Sequence, residues 1–311
     1  MDTPAINIKN LTYFYRNPWT YKASAALSNL TLEVPQGCAF GFIGHNGAGK
    51  TTTIKCILDL IKASTGEIEI FGINTKKKES RKAVGYLAEL PYFYDYLTVK
   101  ELLETLAILS DITSSQVKST IREALSAVNF TKSEKTPLKN LSKGQLQRIA
   151  LAQAIMHKPR LLILDEPFSG LDPLGRNDFI ELLRNLKANG TTIFISSHIL
   201  NDVEQLCDDV AILKDGSLKG TYSLKELGQV LDNKFELTVA TDDNTSKIVE
   251  TFHPALKVHG DLQTLIFDDE KNAKSALAQA LVLGVRIESY QITNGGLQEL
   301  FLKLVREEVE E

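Results

Sequence analysis

Cysteine is scarce: there are three in 311 residues, and Cys38, Cys56 and Cys207 stand far apart. That spacing forms neither a metal knuckle nor a redox pair, so small buried thiols are expected and disulfides are not. Long apolar runs are also lacking. No stretch approaches the roughly 18 residues needed to span a bilayer, and the opening MDTPAINIKN has neither the basic region nor the apolar core of a secretion signal. The chain is therefore expected in the cytoplasm. No excess of one charge is present either, since 35 Lys and Arg face 39 Asp and Glu for a net charge of -4. Such a balance carries no nucleic-acid signature. A hydrophobic content of 43% is enough for one large core and a smaller one.

What is present is an ordered series of short motifs: GHNGAGKT at Gly44 to Thr51, LSKGQ at Leu141 to Gln145, LLILDEP at Leu161 to Pro167, SGLD at Ser169 to Asp172, and His198. The first alone would arise by chance about once in a hundred chains of this length at average residue usage. The order removes most of that ambiguity. Gly44, Gly47 and Gly49 let the backbone turn tightly and bring its N–H groups close to phosphate oxygens. Lys50 supplies a point charge for the outer phosphates and Thr51 a hydroxyl for a magnesium ion. The helix starting there aims its positive end at the same anion.

RLLILDEP reads as a buried parallel strand ending in two carboxylates, where an open α/β sheet presents its ligands. Asp165 is placed to hold magnesium, usually through water, and Glu166 to orient and deprotonate a water attacking the terminal phosphate. His198 ends a second such run, TTIFISSH, and is expected at the same sheet edge. His45, His157, His253 and His259 lack this context and are read as structural or solvated.

On these motifs the chain resembles the nucleotide-binding subunit of an ABC transporter, with matches from about residue 6 to residue 222. The resemblance implies an ATPase that binds ATP and Mg2+ through Asn46, Gly47, Ala48, Gly49, Lys50, Thr51 and Thr52, with magnesium at Thr51, Glu89 and Asp165 and catalysis at Glu166 and His198. It further implies two ATP molecules sandwiched between two subunits, most simply a homodimer. Ser142, Gly144 and Gln145 would then contact the ATP of the second subunit, and Asp172 would carry contacts across the interface. The residues are consistent with that, because Ser142 caps a helix N-terminus that has no anion of its own. Tyr15, in INIKNLTYFY, matches the place where the family stacks an aromatic ring on adenine. Either Tyr13 or Tyr15 could instead be a plain sheet residue, and the following RNPWTYKASAA leaves the register open.

Two departures from the common family pattern stand out. Glu89 replaces a glutamine and can still ligand magnesium through oxygen; it resembles export-type members, as does the tail LQELFLKLV. Lys143 stands where many members have Gly. The implied fold is α/β: a P-loop NTPase (ABC ATPase) domain over residues 1–222, with an antiparallel β subdomain and a helical insertion at about 97–158. A connecting helix (223–231) and a small α+β ferredoxin-like C-terminal domain (232–311) follow, the latter from its β-α-β-β-α-β order.

An integral-membrane permease encoded separately is the implied partner, placing the chain on the cytoplasmic face of the membrane, docked against the helical segment between Leu97 and Phe130; no nucleic acid is expected. The leading expectation is an exporter ATPase; an importer ATPase, or a soluble ABC ATPase acting on ribosomes or DNA, is the alternative. The soluble kinds carry paired motor domains, long coiled coils or zinc cysteines, none of which occurs here. A lysine at 143 costs on the order of 0.5 kcal/mol against the helix dipole, offset by its attraction to phosphate. Lys143→Gly is therefore expected to leave steady-state ATP turnover largely intact.

Overall fold

The computed structural model describes residues 3–16, 23–230, 233–294 and 297–306. Residues 17–22 of the RNPWTYKASAA segment, residues 231–232 at the expected domain junction and residues 307–311 lie outside the described residues. Two compact units, Met1–Ser223 and Leu224–Glu311, make up the chain.

The first unit runs β1 (Ile6–Arg16), β2 (Ala23–Val34), β3 (Ala39–Ile43), α1 (Lys50–Ile57), β4 (Thr65–Ile70), β5 (Ile73–Asn74), β6 (Val84–Leu87), α2 (Val99–Leu109), α3 (Val117–Ala127) and α4 (Lys143–Ile155). It continues through β7 (Leu161–Asp165), α5 (Pro173–Ala188), β8 (Thr192–Ser197), α6 (Leu200–Leu206), β9 (Asp209–Lys214) and β10 (Ser217–Ser223). In β3, β7 and β8 every residue is buried, as unbroken apolar runs require in a parallel sheet covered on both faces. They form a six-stranded sheet of order β10-β9-β3-β8-β7-β6. Its strands pair in parallel from β6 to β9, and β10 returns antiparallel through the Asp215-Gly216 hairpin, both residues left-handed.

A four-stranded antiparallel sheet, β2-β1-β4-β5, covers one side. The opening strands were expected; the addition of β4 and β5 was not, since TGEIEI buries only alternate residues and so gives a weak signal. The core lies between the sheets, where Ile6, Ile8, Leu30 and Ile68 meet Phe40, Phe42 and α1. Phe194 of β8 stacks on Phe40 at 6.1 Å and tilts against Phe42 at 5.4 Å.

Between 97 and 158, α2 and α3 bury one face each, as their periodicity predicts. Helix α4 differs from the amphipathic helix expected there: Ile149 to Ala152, Ala154 and Ile155 are all buried, so it is a core helix with apolar residues around most of its circumference.

The second unit contains α7 (Leu224–Val230), β11 (Asn233–Ala240), α8 (Asp243–Phe252), β12 (Ala255–His259), β13 (Leu262–Phe267), α9 (Glu270–Val282), β14 (Ile287–Asn294) and α10 (Leu297–Arg306). Its antiparallel sheet has the order β12-β13-β11-β14, which is the ferredoxin-like arrangement. Phe235, Leu237, Val239, Leu265 and Phe267 face Ile248 of α8 and the small residues Ala273, Ala276 and Ala280 of α9, which let that helix approach closely. Truncating Phe194 to Ala is expected to cost about 3–5 kcal/mol in the first unit, measured as a lowered denaturation midpoint by near-UV circular dichroism.

Candidate functional site

Strand β3 ends at Ile43, and the chain turns through GHNGAG into α1. Gly49 takes φ +108° there, and a Cβ on it would stand 2.7 Å from the Ala26 carbonyl oxygen, so glycine is required both by conformation and by space. Lys50, only 6% exposed, donates to the Gly44 carbonyl at 2.7 Å and the His45 carbonyl at 3.3 Å. Its third partner is Glu166 Oε1 at 3.3 Å.

The carboxylates arrive from β7. Asp165 is 1% exposed, and its Oδ1 accepts from Ser196 Oγ at 2.6 Å and from Thr51 Oγ1 at 3.3 Å. Glu166, 9% exposed, sits at φ +46°, a left-handed conformation that strains a residue with a Cβ. Its backbone N–H is held by the Ser196 hydroxyl (3.1 Å) and the Ser196 carbonyl (3.2 Å). Its Oε2 meets His198 Nδ1 at 2.8 Å. Glu166 is thus clasped between a lysine and a histidine delivered by two different strand ends.

A cleft of about 670 Å³ opens over this group. It brings together Tyr15, Asn46, Gly47, Gly49, Lys50, Thr51, Thr52, Glu89, Glu166 and His198. Ala48 lies buried within the loop, and Asp165 reaches the cleft through Thr51. Tyr15 is 47% exposed, its hydroxyl is 3.3 Å from Thr52 Oγ1, and its ring packs edge-on to Tyr13 at 4.9 Å. Near Asp165 and Glu89, burial and then those two carboxylates push the Tyr86 phenol up to about 12.

Ser142, Gly144, Gln145 and Asp172 do not line this cleft. Ser142 and Gln145 form a reciprocal capping box on α4, with N–H to oxygen distances of 3.3 and 3.0 Å. Asp172 caps α5 through Gly175 N–H at 2.7 Å. The two helix starts are joined by Lys143, whose side chain lies over Gly170: a Cβ there would stand 2.7 Å from Lys143 Cε.

Sequence reasoning missed Ser196, which holds both carboxylate-bearing residues at once. The available signal was a pair of hydroxyls, Ser196 and Ser197, closing an otherwise apolar strand. It also missed Ser24, Ala25 and Ala26 of β2, which line the cleft and give no distinctive signal in the sequence. Oxygen donors at Thr51, Asp165 and Glu89 suit a hard divalent cation. Among the described residues no group of three His, Cys, Asp or Glu could hold a metal, so the fit is to an ion that arrives with phosphate oxygens and keeps its waters.

A family model described as ABC transporter matches residues 27–169. An ABC transporter ATP-binding protein of Nostoc sp. is 36% identical over 317 residues, covering 99% of this chain and 92% of the relative. The chain belongs to the ABC transporter ATP-binding proteins. This ABC ATPase is also 35% identical to the bacitracin transport ATP-binding protein BcrA of Bacillus licheniformis, across 92% of this chain and 94% of that one. Among solved structures, an ATP-binding subunit of an ABC transporter superposes with TM-score 0.63 at 31% identity, covering 72% of this chain and 92% of the other. The dimeric ATP-binding cassette MJ0796 bound to ADP and Pi does so with TM-score 0.64 at 25% identity, over 70% and 98%.

Ser196→Ala is expected to lower ATP turnover about tenfold or more, with ATP binding retained, because it removes one of the two hydrogen bonds that hold Asp165 Oδ1 and one of the two that hold the Glu166 N–H. Phosphate release and nucleotide binding, measured on the same protein, check this.

Proposed function

We propose that this ABC ATPase is the motor of an exporter: it pairs with a second ATP-binding subunit around two ATP molecules and drives a separate integral-membrane permease from the cytoplasmic face. The observation that carries the reading is Glu166 held between Lys50 (3.3 Å) and His198 (2.8 Å) at the mouth of the cleft.

Terminal phosphate entering the cleft competes with Glu166 for the Lys50 ammonium. Oε1 of Glu166 is then free to accept a proton from the attacking water, while His198 keeps Oε2 in place. Tyr15 offers its exposed ring to adenine, and the loop from Asn46 to Thr52 offers N–H groups to the phosphates. Thr51, Asp165 and Glu89 would hold magnesium, which when bound offsets phosphate charge in the reaction. Ser142, Gly144, Gln145 and Asp172, all away from the chain's own cleft, would serve the nucleotide of the second subunit. The dimeric state of the similar cassette MJ0796 supports that division.

A second surface suits the permease. A cleft of about 710 Å³ is lined by Lys78, Arg81 and Lys82 and by Pro91, Phe93 and Leu109, and the neighbouring segment exposes Tyr92, Tyr94 and Tyr96. It lies where the Glu89 loop meets α2. Export rests on Glu89 and on the tail; the names of two bacitracin transport relatives, from Bacillus licheniformis and Enterococcus faecalis, support a peptide-class cargo.

Glu166→Gln removes the base and leaves the phosphate cradle, so it is expected to bind ATP and remain an ATP-locked dimer in size-exclusion chromatography. Lys50→Ala is expected to weaken nucleotide binding itself, and Ser142→Arg to lower turnover while sparing binding to the monomer. Tagged Glu166→Gln protein, purified in mild detergent with ATP and magnesium, is expected to bring down a multi-span protein in stoichiometric amount. Ribosomal or DNA-repair partners in its place would overturn the transporter reading and keep the ATPase.

A further inference from the structure

Asp202, in the first turn of α6, is 1% exposed, and neither of its carboxylate oxygens accepts a hydrogen bond. Arg176, in the first turn of α5, has a buried Nε–H without an acceptor. A single contact joins them, Arg176 Nη1 to Asp202 Oδ2 at 3.5 Å. Burial pushes the Asp202 carboxyl up, and Arg176 pulls it back by a smaller amount; His198 and Glu166 lie within electrostatic range of it. An ion pair whose buried carboxylate lacks hydrogen-bond donors is a poor source of stability. Its position suggests another role.

Arg176 follows Asp172 by four residues, and Asp202 follows His198 by four, so the pair bridges the loop that carries Asp172 and the loop that carries His198. The far ends of the same two helices are joined by well-made contacts: Arg184 Nη2 donates to the Gln205 carbonyl at 2.5 Å, and Lys187 Nζ to Asp208 Oδ1 at 2.6 Å. Helices α5 and α6 are therefore clasped at the end remote from the site and only loosely joined beside it. The Arg176–Asp202 contact links the start of α5 to α6, and His198, in contact with Glu166, lies four residues before Asp202.

We propose that Arg176 and Asp202 are positioning residues for hydrolysis, their ion pair passing the placement of the Asp172 loop to His198 and so to the Glu166 carboxylate. The proposal rests on the two-subunit reading above, in which Asp172 meets the second subunit. Engagement there draws the start of α5 toward α6, and the loose contact closes into a two-bond pair with both oxygens of Asp202 satisfied.

Full-length Arg176→Gln, Asp202→Asn, the double variant and the conservative Arg176→Lys would be assayed for kcat, KM for ATP and thermal unfolding, alongside ATP-dependent dimerisation of the Glu166→Gln parent. Each neutral substitution is expected to lower kcat about tenfold while KM stays within about twofold, and the double variant to be no slower than the slower single one. Arg176→Lys, which keeps the charge, is expected to recover a large part of kcat. Arg176 is partly exposed, so the Arg176 series reads out the pair even if Asp202→Asn fails to fold. A lowered unfolding temperature with unchanged kcat would overturn the proposal, as would multiplicative losses in the double variant. A Glu166→Gln parent that stays monomeric with ATP would overturn the two-subunit reading and this proposal together; a parent that dimerises, with variants of normal kcat, would overturn this proposal alone.

Discussion

A lysine ammonium held almost out of water constrains everything around it. Lys50 has two neutral carbonyls and one carboxylate for partners, and each comes from a different obligation of the chain: the turn at Gly44, the loop at His45 and the end of β7. Desolvating a cation is costly unless oxygens surround it. The loop must therefore stay tight, which demands glycine at 49, and β7 must end within reach, which places a carboxylate at 166 in a left-handed conformation. The same oxygen hunger that holds the loop together makes the site attractive to phosphate.

Sheet order does the rest of the positioning. Strands β3, β8 and β7 are neighbours and run parallel, so the turn after Ile43, His198 and the Asp165-Glu166 pair all emerge at one edge although they are far apart in sequence. Register matters as much as order. Asp165 pairs with Ser196 across β7 and β8, which is why one hydroxyl can reach both the Asp165 carboxylate and the Glu166 backbone. A slip of one residue would turn that hydroxyl to the opposite face of the sheet.

Residues whose chemistry is unusual for their surroundings were legible in the sequence: two acids at the end of an apolar run, a histidine closing another, glycines spaced around a lysine. The β-α-β-β-α-β order of the second unit was legible too, because its strands and helices differ sharply in period. Ser196 and Arg176 were not, since a serine or an arginine is unremarkable until the fold sets it against a particular neighbour. The joining of β4 and β5 to β1 was hidden for a related reason: a half-buried strand with glutamates on its open side resembles any surface segment. Helix α4 misled in the opposite way, because a helix wrapped by the domain loses the polar stripe that periodicity looks for.

A Cβ on Gly170 would meet the flexible end of the Lys143 side chain, which would have to swing aside. The start of α4 and the turn before α5 therefore meet through a side chain that can move. Glycine at 170 is thus favoured twice, by the lysine lying over it and by its own left-handed backbone at φ +70°.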